Sequence, residues 1–189
     1  MAENNKVIIS IHKPGLREKL FFCFSGIIVS IPITLYVNVF SSHACFFLPE
    51  FYSALCSTAL FTPFIEEFAK VYPLFYRHGE TEKSIFTLGF LTGLGFGITE
   101  FFLYVLVMGA PVSVRLPSIF FHASSTSITA FGIATKKPAS FYLIAVALHL
   151  LNNLSASTEF FWPGVFAALI ITYFLSWYLY RKTSDRIVT

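Results

Sequence analysis

Charge is what this sequence has least of. Only 12% of its 189 residues are charged, against about 25% in ordinary soluble domains, while 56% are hydrophobic and 19% aromatic, with 24 Phe. A core of this size cannot hide so much apolar surface, so much of it faces lipid and a soluble globular fold is excluded. Cysteine is sparse as well. Cys23, Cys45 and Cys56 make no CxxC pair and are too few for a disulfide framework, so they read as small apolar membrane residues. The net charge of +3 comes with no basic stripe or aromatic platform outside the apolar runs, which sets nucleic acid aside as a partner. There is no HExxH motif and no visible inverted repeat. The polar stretch through Lys19 leads into an apolar run longer than a signal-peptide core, with no small-x-small site at its end, so a retained first helix is expected.

What the chain does have is a series of apolar runs, at about 20–40, 51–76, 84–108, 116–134, 140–155 and 160–180. They predict an all-α polytopic membrane protein, a single integral domain over 1–189 with about six transmembrane helices and no folded extramembrane part. Flanking charge sets its orientation, because the cytoplasmic side carries the Lys and Arg excess. Lys6, Lys13, Arg17, Lys19, Arg77, Lys83, Lys136, Lys137, Arg181, Lys182 and Arg186 fall on one side, whereas the segments 41–50, 109–115 and 154–159 hold only Arg115. Both termini are therefore expected in the cytoplasm, in a multi-pass protein of the cell membrane whose main solvent is the bilayer. The fifth run is short and carries His149, Asn152 and Asn153, so it is expected to be tilted, enclosed by other helices or partly unwound.

Gly89, Gly93 and Gly97 recur at four-residue spacing with Gly95 between them, the pattern of a helix packing seam. Ser124, Ser125, Thr126, Ser127 and Thr129 read as interhelical hydrogen-bonding hydroxyls. The ionisable residues within the runs are more telling: Glu66, Glu67, Lys70, Glu100, His122 and His149. A charge at the bilayer centre costs roughly 2.5–3.5 kcal/mol on insertion scales, and packing alone would select Leu. With run midpoints near Phe64, Phe96, Ser125 and Val146, these groups lie within about five residues of one depth, given the 1.5 Å helical rise. They form one layer, open to the outer half of the membrane. Lys70 is i+4 from Glu66 and i+3 from Glu67 and can neutralise either carboxylate, which diverge by about 100° and are not expected to point the same way. Asn153 is i+4 from His149, so its amide can hold a tautomer or donate to an oxyanion. His12, His43, His78, Glu80 and Glu82 lie at ends or loops, where solvation is expected.

EEFAK at 66–70, GFGITE at 95–100, the stretch from Arg115 through His122 to Gly132, and HLLNN at 149–153 follow one another on separate runs. In that order they resemble the PrsW family of intramembrane proteases, related to the CAAX-protease and bacteriocin-processing superfamily. Lys70 and Glu100 tilt the likeness toward PrsW, since the prenyl-protein endopeptidases have Arg after the paired glutamates and lack the third-helix Glu. The resemblance implies hydrolysis of peptide bonds in membrane-anchored protein substrates, as in site-1 cleavage of an anti-sigma factor. It implies Glu66, Glu67, Glu100, His122, His149 and Asn153 as catalytic residues, supported by Lys70. Two mechanisms stay open. A glutamate mechanism uses Glu66 or Glu67 as base, His122 to position water, and His149 with Asn153 for the oxyanion. A metal mechanism takes two His and one carboxylate from Glu67, Glu100, His122 and His149 as ligands for a divalent ion such as zinc. Two rival readings share the same polar lining: a proton-coupled transporter or channel, and a non-catalytic immunity-type relative that binds a membrane peptide.

Overall fold

A computed structural model describes residues 12–76, 81–158 and 162–188. Lys6, Arg77, His78, Glu80 and Glu159 lie outside the described residues. Among those described the chain is all-α, with one isolated antiparallel bridge, Thr81 to Ile187. Helix α1 runs Leu16–Cys45 and α2 covers residues 50–76. Helix α3 is Glu82–Val107, α4 is Val112–Ala134, α5 is Pro138–Ser157 and α6 is Trp162–Lys182. Four of these, α1, α3, α5 and α6, are long and apolar enough to cross a membrane. The other two are the more polar ones; α4 is shielded, with every residue from Phe121 to Ala130 buried, whereas α2 buries its ionisable face and exposes Phe61, Phe64 and Phe68. The fifth run, expected to be tilted, enclosed or partly unwound, is a continuous 20-residue helix and so is not unwound, and α4 is the one that its neighbours surround.

Two prolines shape the irregular helices. Proline lacks an N–H and its ring clashes with the carbonyl four residues back. Pro32 and Pro63 each begin a regular α-helical stretch, and each is preceded by a π-helical turn, at Gly26–Ser30 and Leu55–Phe61, which opens the backbone where the clash would fall. In α2 the regular stretch after the π-turn, Thr62–Val71, buries Glu66, Glu67 and Lys70 together.

The α3–α4 contact is the most extensive in the bundle. A Cβ at Gly89 would collide with the Ala130 side chain, one at Gly93 with the His122 carbonyl, and one at Gly97 with the Ile119 carbonyl. The expected seam is therefore the α3–α4 interface. Gly95 belongs to the opposite face, where its missing side chain admits the Cys23 carbonyl of α1. Lipid tails are as apolar as Leu, so close packing and hydrogen bonds hold such helices together. Ser127 Oγ lies 2.7 Å from Ser176 Oγ of α6, Tyr173 Oη donates to the Pro117 carbonyl at 2.6 Å, and Tyr142 Oη donates to the Phe64 carbonyl at 2.8 Å. Large apolar residues such as Phe21, Phe24, Ile28, Phe166 and Phe174 lie outside, as a lipid-facing surface requires.

The two ends of the bundle differ. At the end holding Leu16, Ala134 and Lys182, the C-terminal residues fold back over the start of α3. The Glu82 amide donates to the Arg186 carbonyl at 3.0 Å and the Lys83 amide to the Ser184 carbonyl at 3.2 Å, so the tail satisfies amides that a helix start leaves open. Glu82 in turn accepts from the Ser184 amide and hydroxyl at 3.1 and 2.8 Å, while His12 pairs with Glu18 at 2.8 Å and His43 is exposed. At the opposite end Cys45 and Cys56 form a disulfide across 11 residues. This corrects the reading of these two cysteines as unpaired: the turn after α1 brings them together, and no spacing motif announces a bond made by a helix reversal. Cys23 is free.

Candidate active site

Lys70 is fully buried, and its ammonium group organises the centre of the bundle. Nζ donates to Glu67 Oε1 at 2.6 Å and to His122 Nδ1 at 3.0 Å, and lies 5.1 Å from the Phe96 ring centroid. An ammonium group can only donate, so His122 Nδ1 accepts and Nε2 carries the proton. That N–H donates to Glu100 Oε2 at 2.6 Å. The α3–α4 seam makes this bond, since it brings α3 against the turn of α4 that carries His122.

Glu67 Oε1 is a three-way acceptor, receiving Lys70, the Ser125 hydroxyl at 3.1 Å and His149 Nδ1 at 2.8 Å. Because His149 donates from Nδ1, the lone pair of Nε2 is free, and that atom lies 3.7 Å from Glu66 Oε2. The two glutamates diverge along α2, yet His149 on α5 sits between them and meets both, one at each ring nitrogen. Lys70 pairs with Glu67 and not with Glu66. Glu66 Oε2 and Glu67 Oε2 are buried without a hydrogen-bond partner among the described residues.

Of these groups Glu66 and Glu100 line a cavity of about 490 Å³, with Glu67, Lys70, His122 and His149 packed behind them. Glu66 and Glu100 line it at depth, Asn38 and Thr62 on one side, Asn152 and Asn153 on another, and Met108 and Ser157 at the disulfide end of the bundle. Helix α1 contributes Ile31, Thr34, Leu35 and Asn38, so α1 to α5 together build the cavity. Asn153 stands in its wall, but its Nδ2 donates to the Thr58 carbonyl at 3.1 Å. Glu67, not Asn153, sets the tautomer of His149. Two contributors escaped the sequence reading. Ser125 was one hydroxyl in a run of five, with nothing to mark it as a Glu67 donor. Arg115 counted as an outer charge and as the start of the family-like stretch through His122, with no site role, yet it lines the cavity with its guanidinium on the Tyr104 ring.

The sequence pattern of the PrsW family intramembrane metalloproteases matches residues 16–179. The chain belongs to the PrsW family. No curated protein and no solved structure shows significant similarity to it. PrsW membership accounts for the placement of costly ionisable groups within a membrane bundle, because intramembrane proteolysis needs a polar, water-accessible pocket below the lipid surface. The family description includes a metal, and the side chains here suit one. Donor atoms of Glu66, His122 and His149 all lie within 4.8 Å of one another. Glu66 Oε2 is buried and unpartnered, and His149 Nε2 presents a free lone pair beside it. Glu67, by contrast, accepts from His149 Nδ1, the arrangement in which a carboxylate orients a ligating histidine from behind, while Glu100 accepts from His122 Nε2 and Lys70 holds the other nitrogen of that ring.

Proposed function

We propose that this PrsW-family protein is an endopeptidase that cuts membrane-anchored protein substrates within the outer half of the bilayer, at the floor of the cavity. The observation that carries this reading is the convergence of Glu66, His122 and His149 at one buried point, with Glu66 lining the cavity. Glu66, His122 and His149 would hold a divalent ion of the zinc type, the three-ligand count of a catalytic site. Such an ion, when bound, supplies Lewis-acid polarisation of the scissile carbonyl and acidifies water. Glu67 keeps the His149 proton on Nδ1 and so aims Nε2 into the site. Glu100 faces the cavity and would be the base for the attacking water; His122 would ligate through Nε2 as its Nδ1–H tautomer, with Nδ1 no longer accepting from Lys70, so that Glu100 stays unprotonated for that role. Lys70 balances Glu67, and Asn153 places its amide along the cavity wall where substrate backbone would lie.

A second reading is favoured by the hydrogen bonds as they stand. His122 Nε2 already donates to Glu100, which leaves His149 Nε2 as the free imidazole lone pair. In that version Glu66 is the base for water and no ion is needed. Cleavage of single-span membrane peptides by the reconstituted protein tests both. Loss of cleavage on chelation and return with zinc supports the first. Cleavage unchanged by chelation but abolished by Glu66→Gln supports the second, and cleavage surviving both Glu66→Gln and His149→Ala removes the site altogether.

The orientation belongs to the same proposal. Lys13, Arg17, Lys19, Lys83, Lys136, Lys137, Arg181, Lys182 and Arg186 all lie at the end away from the disulfide, which supports both termini in the cytoplasm of a cell membrane. The Cys45–Cys56 disulfide lies at the other end, consistent with an oxidising outer compartment. An anti-sigma factor with a single span is the substrate to try first, on the family's precedent.

A further inference from the structure

The cavity holds a cation that no step of the proposed hydrolysis uses. Arg115, in the first turn of α4, is half-buried, and its guanidinium carbon lies 3.2 Å from the Tyr104 ring centroid. An approach this close seats the guanidinium on the ring face and limits its movement. Arg115 takes part in none of the ion pairs formed among the described residues. Glu100, which shares its cavity, is engaged by His122. Arg115 acts electrostatically on Glu66 and Glu100 across the cavity but is in ion-pair contact with neither, and its planar N–H fork matches an incoming carboxylate bidentately.

The rest of the wall says what carries that carboxylate. Asn38, Asn152 and Asn153 bring carboxamides to the wall; Asn38 Oδ1 accepts from Ser41 and Thr62 and Asn153 is held by Asn152 and Thr58, which leaves the Asn38 amine and the Asn152 carbonyl oxygen to offer a donor and an acceptor. A helical peptide in lipid keeps its backbone bonds to itself and has no use for them, whereas an unwound segment must find partners for each N–H and C=O.

We infer that Arg115 and Tyr104 form a carboxylate-recognition subsite: the cavity binds an unwound peptide segment bearing an anionic carboxylate on the outer side of the reacting bond. The carboxylate is an Asp or Glu side chain or a free C-terminus, since the guanidinium recognises the chemistry they share. The position relative to a scissile bond rests on the hydrolytic reading above; the binding preference does not.

The test uses the full chain in detergent or nanodiscs and short apolar peptides carrying a neutral fluorophore, in three forms: amidated and neutral, amidated with one internal Glu, and uncapped with a free C-terminus. Fluorescence anisotropy reads binding and mass spectrometry of the same samples reads cleavage. At least one anionic form is expected to bind about tenfold more tightly than the neutral form, and which one identifies the source of the carboxylate. The preference is expected to fall to within about twofold in Arg115→Gln, and to invert toward a Lys-bearing peptide in Arg115→Glu. Arg115→Lys keeps the charge without the fork; it retains fold if the other variants do not, and it is expected to keep only part of the preference. Equal binding of all three peptides, no binding of any, or a preference that survives Arg115→Gln overturns the subsite. A charge preference without cleavage leaves the subsite standing and counts against the protease reading, while cleavage without a charge preference does the reverse.

Discussion

The two halves of this bundle are built on opposite principles. The half near Leu16 and Lys182 holds Phe22, Val71, Leu74, Ile85, Leu88 and Ile133 in one apolar cluster with the C-terminal tail laid over the start of α3, and its clefts beside Tyr180 and Arg186 reach none of the buried ionisable groups. The half near the disulfide is hollow, polar and irregular, with a π-helical segment in α2, a π-turn ending α3, and amide side chains in its wall. The contrast shows how a small membrane protein keeps a hydrated, charged site. The apolar cluster lies in one half, and the cavity reached by Glu66 and Glu100 lies in the other.

The sharpest way to break this comparison is at its boundary. Glu66→Gln or His149→Ala is expected to lower cleavage by about a hundredfold or more, with thermal stability in detergent unchanged, because neither the tail clamp nor the apolar cluster is touched. Activity and melting temperature measured on the same preparation check this. Lys70→Met is expected to cost about 3–5 kcal/mol of stability, since it strands the buried Glu67 carboxylate, and a Glu67→Gln/Lys70→Met double variant is expected to regain part of that loss. Denaturant melts of the single and double variants give the answer.

A change confined to the packed half separates the regions in the other direction. Leu88→Ala is expected to destabilise by about 2–5 kcal/mol while leaving kcat of the folded fraction as it was. A fall in kcat at temperatures well below melting would mean that the two halves are coupled. The smallest effect belongs to the hollow end. Cys45→Ser is expected to cost at most about 3 kcal/mol through the short loop it opens, and to loosen α1 against α2 at the cavity mouth. Faster hydrogen exchange around Thr58 and Asn153, with none near Leu88, is the measurement that shows it.

Much of this was legible in the sequence because lipid imposes simple rules. Apolar runs had to be helices, and the ionisable residues inside them had to face one another. The glycine spacing announced the α3–α4 seam, and the ordered set of EEFAK, GFGITE, His122 and HLLNN carried the family likeness. Periodicity did not show that α4 rather than α5 is the enclosed helix, because burial depends on where the other helices lie and not on hydropathy within one segment. The disulfide was hidden for a similar reason, since Cys45 and Cys56 meet through a turn whose path the spacing does not encode.

The sequence by itself determined the class of molecule and the list of costly side chains at one depth, because composition and helical rise are properties of the chain alone. Only the tertiary structure decided how those side chains divide their roles. Lys70 selects Glu67 over Glu66, His149 donates from Nδ1 and keeps Nε2 free, and Arg115 rests on Tyr104 at the cavity wall. Each of these outcomes is a choice among partners on different helices, and such choices are settled by distances across the bundle that no spacing within a helix can supply.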